Sequence, residues 1–271
     1  MKSGLAAAMT ALSKASKLDL RGSVILAAVA DEEDRSKGTE EVLAAGLRVD
    51  GAVVTEPTML TLGTGHKGFL WLEIEVLGHA AHGSDSEHGI DAILNTGLVL
   101  NALRDYGKTL PSDNFLGHAS LHCGIIQGGE ELSTYPGSCS LQIEFRTVPG
   151  QEVELIAREM ESLLAKIAEK ETHFGFKGPR VLFSRSAYRL DAGHFFERLA
   201  IKAAESACLK TVAPTGLRFW CDEALLAASG IPTVVFGPTG QGLHGDEEWV
   251  DAESIRKTER MINSLVAEFC G

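Results

Sequence analysis

The stretch SVILAAVADEED, Ser23 to Asp34, runs a strand-length apolar segment into four consecutive acids, Asp31, Glu32, Glu33 and Asp34. A nearly continuous apolar run of this length reads as a strand buried on both faces, as in a parallel sheet covered by helices. The four like charges at its end repel one another, so they either splay into water or gather round a cation. On this stretch alone both readings stay open.

The neighbouring sequence gives the strand a context. Residues 4–16 read as a helix with small and apolar residues on every face, expected to be largely buried. Residues 37–46 read as a second helix, and GAVVTEP (51–57) as a short buried strand ending at Glu56 and Pro57. This α-β-α-β order is that of an open α/β sheet, whose sites form at the carboxyl ends of strands. Glu32, Glu33 and Glu56 are expected on that rim.

The texture then changes. FLWLEIEVLG (69–78) alternates apolar and polar residues, the pattern of a strand with one wet face. A helix at 87–107, strand segments in 118–126 and 138–147, and a charged helix at 151–170 complete a β-α-β-β-α block. From about residue 180 the α/β texture returns, with helices at 193–209 and 222–229, a buried strand PTVVFG (232–237) and a closing helix from Asp251 to Phe269. The expectation is an α/β domain, residues 1–64 and 181–271, interrupted by a smaller α+β domain at 65–180.

Composition narrows the function classes. With 44% hydrophobic residues in 271, the chain has ample material for a core. A net charge of −12 argues against non-specific binding to nucleic acid or anionic membranes, which needs clustered Lys and Arg. No apolar run reaches the ~18 residues of a membrane span. The five cysteines, at 123, 139, 208, 221 and 270, are odd in number and lack a CxxC, which fits free thiols in a reducing cytoplasm. The opening MKSGLAAAMTALSKASK is not read as a signal peptide, because Thr10 and Ser13 break its apolar stretch.

Several motifs carry less than their letters suggest. GTGHKG (63–68) matches a dinucleotide pattern, but that mechanism needs the glycines to open a helix, and here a strand-like run follows. A turn between domains is the simpler expectation, with a nucleotide-dependent enzyme as the rival. No G-x-S-x-G nucleophile elbow occurs. Cys221, Asp222 and His244 would allow a Cys/His hydrolase, although a buried free cysteine is the default. GHAAHGS (78–84) sets His79 and His82 at the end of an edge-type strand, and alone reads more simply as surface histidines. GPTGQGLHGDEEWV (237–250) puts His244 in a glycine-rich loop after a buried strand, where an imidazole can approach a metal with little hindrance. Together with Glu32, Glu33 and Glu56 it makes one imidazole and three carboxylates on one rim, a set suited to zinc.

In their order, MKSGLAAAM, ADEEDRSKGTEE, VVTEPT, GHAAHGS, GIIQGGEELSTYPGSC, EFRTVPG and FGPTGQGLHGDEEWV resemble the M20 metallopeptidase family of deacylases and carboxypeptidases. The resemblance covers nearly the whole chain and implies a zinc-peptidase-like α/β domain carrying an inserted lid or dimerisation domain. It implies hydrolysis of an amide bond in an N-acyl amino acid or small peptide, by a homodimer holding two zinc ions, with Co2+ or Mn2+ as substitutes. Glu32 looks like the general base. Glu33 and His244 look like ligands of one zinc, and Glu56 of the other. His82 looks like the lid histidine that steadies the oxyanion, and Arg146, Gly128 and Gly129 like contacts to a substrate carboxylate. Ser133 stands where the family often has Asn. The family's His-x-Asp strand, and an Asp that bridges both metals, precede the MKSG-like stretch, where this sequence starts. The resemblance therefore also implies an incomplete metal site, and keeps open a catalytically impaired fragment or remnant that dimerises or binds.

Overall fold

The computed structural model describes residues 1–271, which divide into two compact units: 1–66 with 188–271, and 67–187. The chain opens with α1 (Lys2–Ala15), α2 (Lys37–Ala44), β1 (Ala52–Val54), β2 (Leu62–His66), β3 (Gly68–Leu77) and α3 (Ala92–Gly107). It continues through β4 (Ser112–Asp113), β5 (Gly117–His118), β6 (Ser120–Gly128), β7 (Ser138–Thr147), α4 (Val153–Ala168), β8 (Gly175–Arg185) and β9 (Tyr188–Arg189). It closes with α5 (Phe195–Cys208), β10 (Pro214–Leu217), α6 (Glu223–Ala228), β11 (Thr233–Val235), β12 (Gly240–Gln241), β13 (Trp249–Val250) and α7 (Ala252–Phe269). No helix is long and apolar enough to cross a membrane.

The first unit is built on a mixed sheet in the order β1-β11-β2-β10, with β9 also on β2. The β1–β11 and β2–β10 pairs are parallel, whereas β11–β2 and β2–β9 are antiparallel. Its core joins Leu62 of β2, Val234 and Phe236 around β11, the alanine face of α5, and Met261 and Leu265 of α7. Asp251 caps α7 by accepting hydrogen bonds from the Glu253 and Ser254 amides, which satisfies two of the donors a helix start leaves open.

Three expectations are corrected in this unit. Residues 23–30 are extended but form no strand, and Ile25 and Val29 are 58% and 39% exposed. An apolar run becomes a buried strand only where ladder partners flank it, and no strand pairs with this one. Helix α1 is buried along one stripe, Gly4, Ala7, Ala11 and Ala15, rather than on all faces, since its neighbours cover a single side. GTGH is no turn: it is the fully buried β2, followed by a strand and not a helix, so the nucleotide reading falls away. Its glycines serve packing, because a Cβ at Gly63 would strike Leu217, and one at Gly65 the Tyr188 carbonyl.

In the second unit, the alternation of residues 69–78 becomes β3, whose even-numbered residues Leu70, Leu72, Ile74 and Val76 are all fully buried. They pack with Leu141, Ile143 and Phe145 of β7 under Val99 and Leu103 of α3 and Ile156, Met160 and Leu164 of α4. The antiparallel sheet runs β6-β7-β3-β8. The strand leading to His79 and His82 is therefore central, not edge-type; the edges are β6 and β8, and β6 is exposed along most of its length.

Candidate functional site

The rim of the first unit is fixed by backbone. Val54 of β1 pairs with Val235 of β11, and both strands then run on side by side to Glu56 and Gly237. A Cβ at Gly237 would lie 1.9 Å from the Glu56 carbonyl, so only glycine permits this approach. The Thr58 hydroxyl accepts a hydrogen bond from the Gly237 amide at 3.0 Å, and the Leu60 amide donates to the Gly237 carbonyl at 3.0 Å. The glycine-rich loop that carries His244 thus starts against the residue before which β1 ends.

The acidic run forms a tight turn against this rim. Asp31 adopts a left-handed backbone (φ 72°), tolerated by Asp more readily than by most residues, and its carbonyl accepts from the Arg35 and Ser36 amides. Asp31 and Asp34 point into solvent, and Glu32 is half-buried. Burial, followed by the charges of Glu56, Asp222 and Glu33, pushes the Glu32 carboxyl up to about 8, against the opposing α-amino group of Met1. Glu56 is also raised, first by burial and then by Glu33 and Asp222, with the same amino group opposing. His244 Nε2 lies 3.6 Å from Glu33 Oε1, both side chains largely exposed.

Glu32, Glu33, Glu56 and His244 therefore share one neighbourhood. Asp222 belongs with them and was weighed in the sequence only as a companion of Cys221. It is buried, and its Oδ2 accepts a hydrogen bond from the Thr39 hydroxyl of α2 at 2.5 Å. The available signal is an acid at the head of a helix, directly after a cysteine. The Cys/His hydrolase reading is removed: Cys221 is fully buried, its thiol is held well above the ordinary range by that burial, and His244 is exposed.

The remaining predicted residues lie in the second unit and do not form one cluster there. The His79–Gly83 segment runs beside residues 133–137, with His82 bridged to Thr134 and its Nδ1 2.8 Å from the Ser84 hydroxyl. Gly128, at the end of β6, and Gly129 (φ 78°) lead into that same loop. Arg146 does not join them. Its partner on β6 is Ser120, eight residues from Gly128, a separation of roughly 26 Å at strand rise. Its guanidinium is already 2.9 Å from Glu144 and stacks over Phe69. Within one chain Arg146 thus lies apart from Gly128 and Gly129.

Comparison with known proteins agrees with this geometry. Residues 64–172 match the family model of the peptidase dimerisation domain of M20 enzymes. Acetylornithine deacetylase of Myxococcus xanthus is 27% identical over 93% of this chain and 66% of its own length. The Proteus mirabilis enzyme of the same name is 26% identical over 100% of this chain and 70% of its own. Over residues 64–172 the chain carries the dimerisation domain of M20 peptidases, and over nearly its whole length it is similar to M20 deacetylases. Its fold is shared with aminopeptidase PepT of Bacillus cereus (TM-score 0.81, 17% identity, 98% of this chain and 70% of that one). A dinuclear metal-binding M20 peptidase of Bacillus subtilis also shares it (TM-score 0.70, 19% identity, with the same coverage). The chain spans about two thirds of the length of the curated relatives it matches.

The donor set suits a dication. Partly desolvated carboxylates that raise one another's proton affinity are relieved when a cation replaces the protons. The metal-free state then has a defined pH signature. Glu32 binds its proton more tightly folded (about 8) than unfolded (4.5), so its contribution to stability is full below 4.5 and is lost as pH rises through 8. Glu32→Gln removes that loss. In metal-free protein, the thermal midpoint of Glu32→Gln minus that of wild type should grow steadily from pH 5 to pH 8. A difference independent of pH would contradict the assignment.

Proposed function

We propose that this chain provides the catalytic rim of a metal-dependent amide hydrolase acting on N-acyl amino acids or small peptides. The observation that carries the reading is Glu32, raised to about 8 amid Glu56, Asp222 and Glu33, beside a Glu33–His244 pair. Glu33 and His244 would hold one ion and Glu56 another; zinc fits this N/O set. Such an ion supplies Lewis acidity, polarising the amide carbonyl and acidifying water. Glu32, with a proton affinity near working pH, takes the proton from the attacking water and returns it to the leaving amine. Asp222, anchored by Thr39, keeps that proton affinity high. His82 retains the role the resemblance implies, hydrogen bonding to the oxyanion, and the 128–134 loop beside it a share in substrate contacts. Arg146 is given no such part. The deacetylase relatives favour an N-acetyl amino acid as the substrate class, and five free thiols favour the cytoplasm.

The family pattern that the resemblance implies includes two further ligands, the His of a His-x-Asp segment and a bridging Asp, so the kinetic test uses the chain joined to a segment that carries them. There, Glu32→Gln should lower kcat roughly 10²–10⁴-fold with zinc content nearly unchanged, as for loss of a general base. Glu33→Gln should lower zinc content and activity together. Full activity in Glu32→Gln with both metals bound would contradict the division of labour.

The same reading includes a homodimer through the second unit. Ile125 and Ile126 on the β6 edge are 48% and 52% exposed, and Ile93 and Leu94 open α3 with exposed side chains. An unpaired strand edge flanked by apolar side chains is suited to pairing with a second copy. Equilibrium sedimentation at micromolar concentration should report a dimer, and Ile126→Lys a shift towards monomer. A wild-type monomer would contradict it.

A further inference from the structure

We infer that the first unit contains an additional divalent-cation site in its core, formed by His66, Cys221 and Glu223 and separate from the carboxylate rim. The three residues supply one nitrogen, one sulfur and one oxygen donor, all within 4.8 Å of one another and all buried. His66 ends β2, while Cys221 and Glu223 flank Asp222 at the start of α6, so an i, i+2 pair from one element meets a third donor from another. The inference does not depend on the hydrolase reading.

The Glu223 carboxylate is the pointer to a ligand. It is fully buried, and neither oxygen has a hydrogen-bond partner. Buried polar groups are ordinarily paired, and a carboxylate left with two bare oxygens is expensive to bury. Its nearest cationic candidate, His66 Nε2, stands 3.8 Å from Oε2, beyond hydrogen-bonding distance. A cation among the three donors meets this need. A thiolate and a carboxylate balance a dication, and a neutral imidazole adds no charge, so the filled site is electrically neutral in the core. Tetrahedral zinc with bonds of about 2.0–2.3 Å sets its ligands roughly 3.3–3.8 Å apart. The His66–Glu223 separation of 3.8 Å lies within a few tenths of an ångström of that spacing, and Cys221 needs a shift of roughly 1 Å to reach it. Mixed nitrogen, sulfur and oxygen donors select zinc or cobalt over magnesium or calcium. The backbone N–H of Glu223 is directed at the Cys221 sulfur, the kind of outer contact that steadies a metal thiolate.

The sulfur separates this site from the rim, which has none. Metal-free full chain titrated with Co2+ should develop a thiolate-to-cobalt charge-transfer absorption in the near ultraviolet that saturates at one equivalent. Cys221→Ser should abolish it, while Cys139→Ser, at a buried cysteine of the other unit, should keep it. Glu223→Gln should weaken cobalt retention at this site several-fold. Because Cys221→Ser could fail to fold, X-ray absorption on zinc-loaded wild type provides a second measurement, expected to show one sulfur scatterer at about 2.3 Å. A wild-type protein that binds cobalt or zinc without a sulfur ligand would overturn the inference, as would a charge-transfer band that survives Cys221→Ser.

Discussion

The close run of β1 and β11 to their carboxyl ends is the constraint on which the rim depends. Gly237 lies so near the Glu56 carbonyl that a methyl group would not fit, and Thr58 ties the two ends together. From that junction Glu56 projects from one strand and the His244 loop departs from the other. Helix α2 closes the third side: its Thr39 holds Asp222, and the turn that precedes it carries Glu32 and Glu33. Backbone packing thus gathers acids that electrostatics alone would scatter, and the resulting repulsion is what suits the rim to a cation.

Charge is handled differently in the second unit. Its acids stand on the wet face of the sheet and are neutralised in pairs, Glu73 with Arg180, Glu75 with Lys177 and Glu144 with Arg146. Arg180 and Gln142 hold the Glu73 carboxyl below its ordinary value by hydrogen bonding, the reverse of the rise at Glu32. Such exposed pairs add little stability; the unit stands on the dry face between its sheet and α3 and α4. The contrast makes Glu32 and Glu56 of the rim conspicuous, since their proton affinity is raised.

Legibility in the sequence followed periodicity. β3 could be read because a period of two fixes both its type and its buried face, and α4 and α7 because apolar positions recur at helical spacing. SVILAAVA misled because hydrophobicity says nothing about whether a ladder partner exists. Around the site, Glu32, Glu33 and Glu56 were visible as acids ending apolar runs. Asp222 was not, since a single acid at a helix start is ordinary and its neighbours on the rim are distant in sequence. His66 and Glu223 were hidden for a similar reason: GTGHKG drew the eye to glycine spacing, while the histidine between the glycines meets residues more than 150 positions later. Arg146 and Gly128 were named together by the family resemblance, which does not say where each lies along the sheet.

The central claim is that the rim acids are gathered to share a cation. Anomalous diffraction at the zinc edge from a crystal of the zinc-loaded chain tests it most directly. The account predicts a peak at coordination distance, about 2.0–2.2 Å, from a Glu33 oxygen and a His244 nitrogen, or from Glu56. Zinc bound elsewhere on the protein, with Glu33, Glu56 and His244 contacting no anomalous peak, would contradict it.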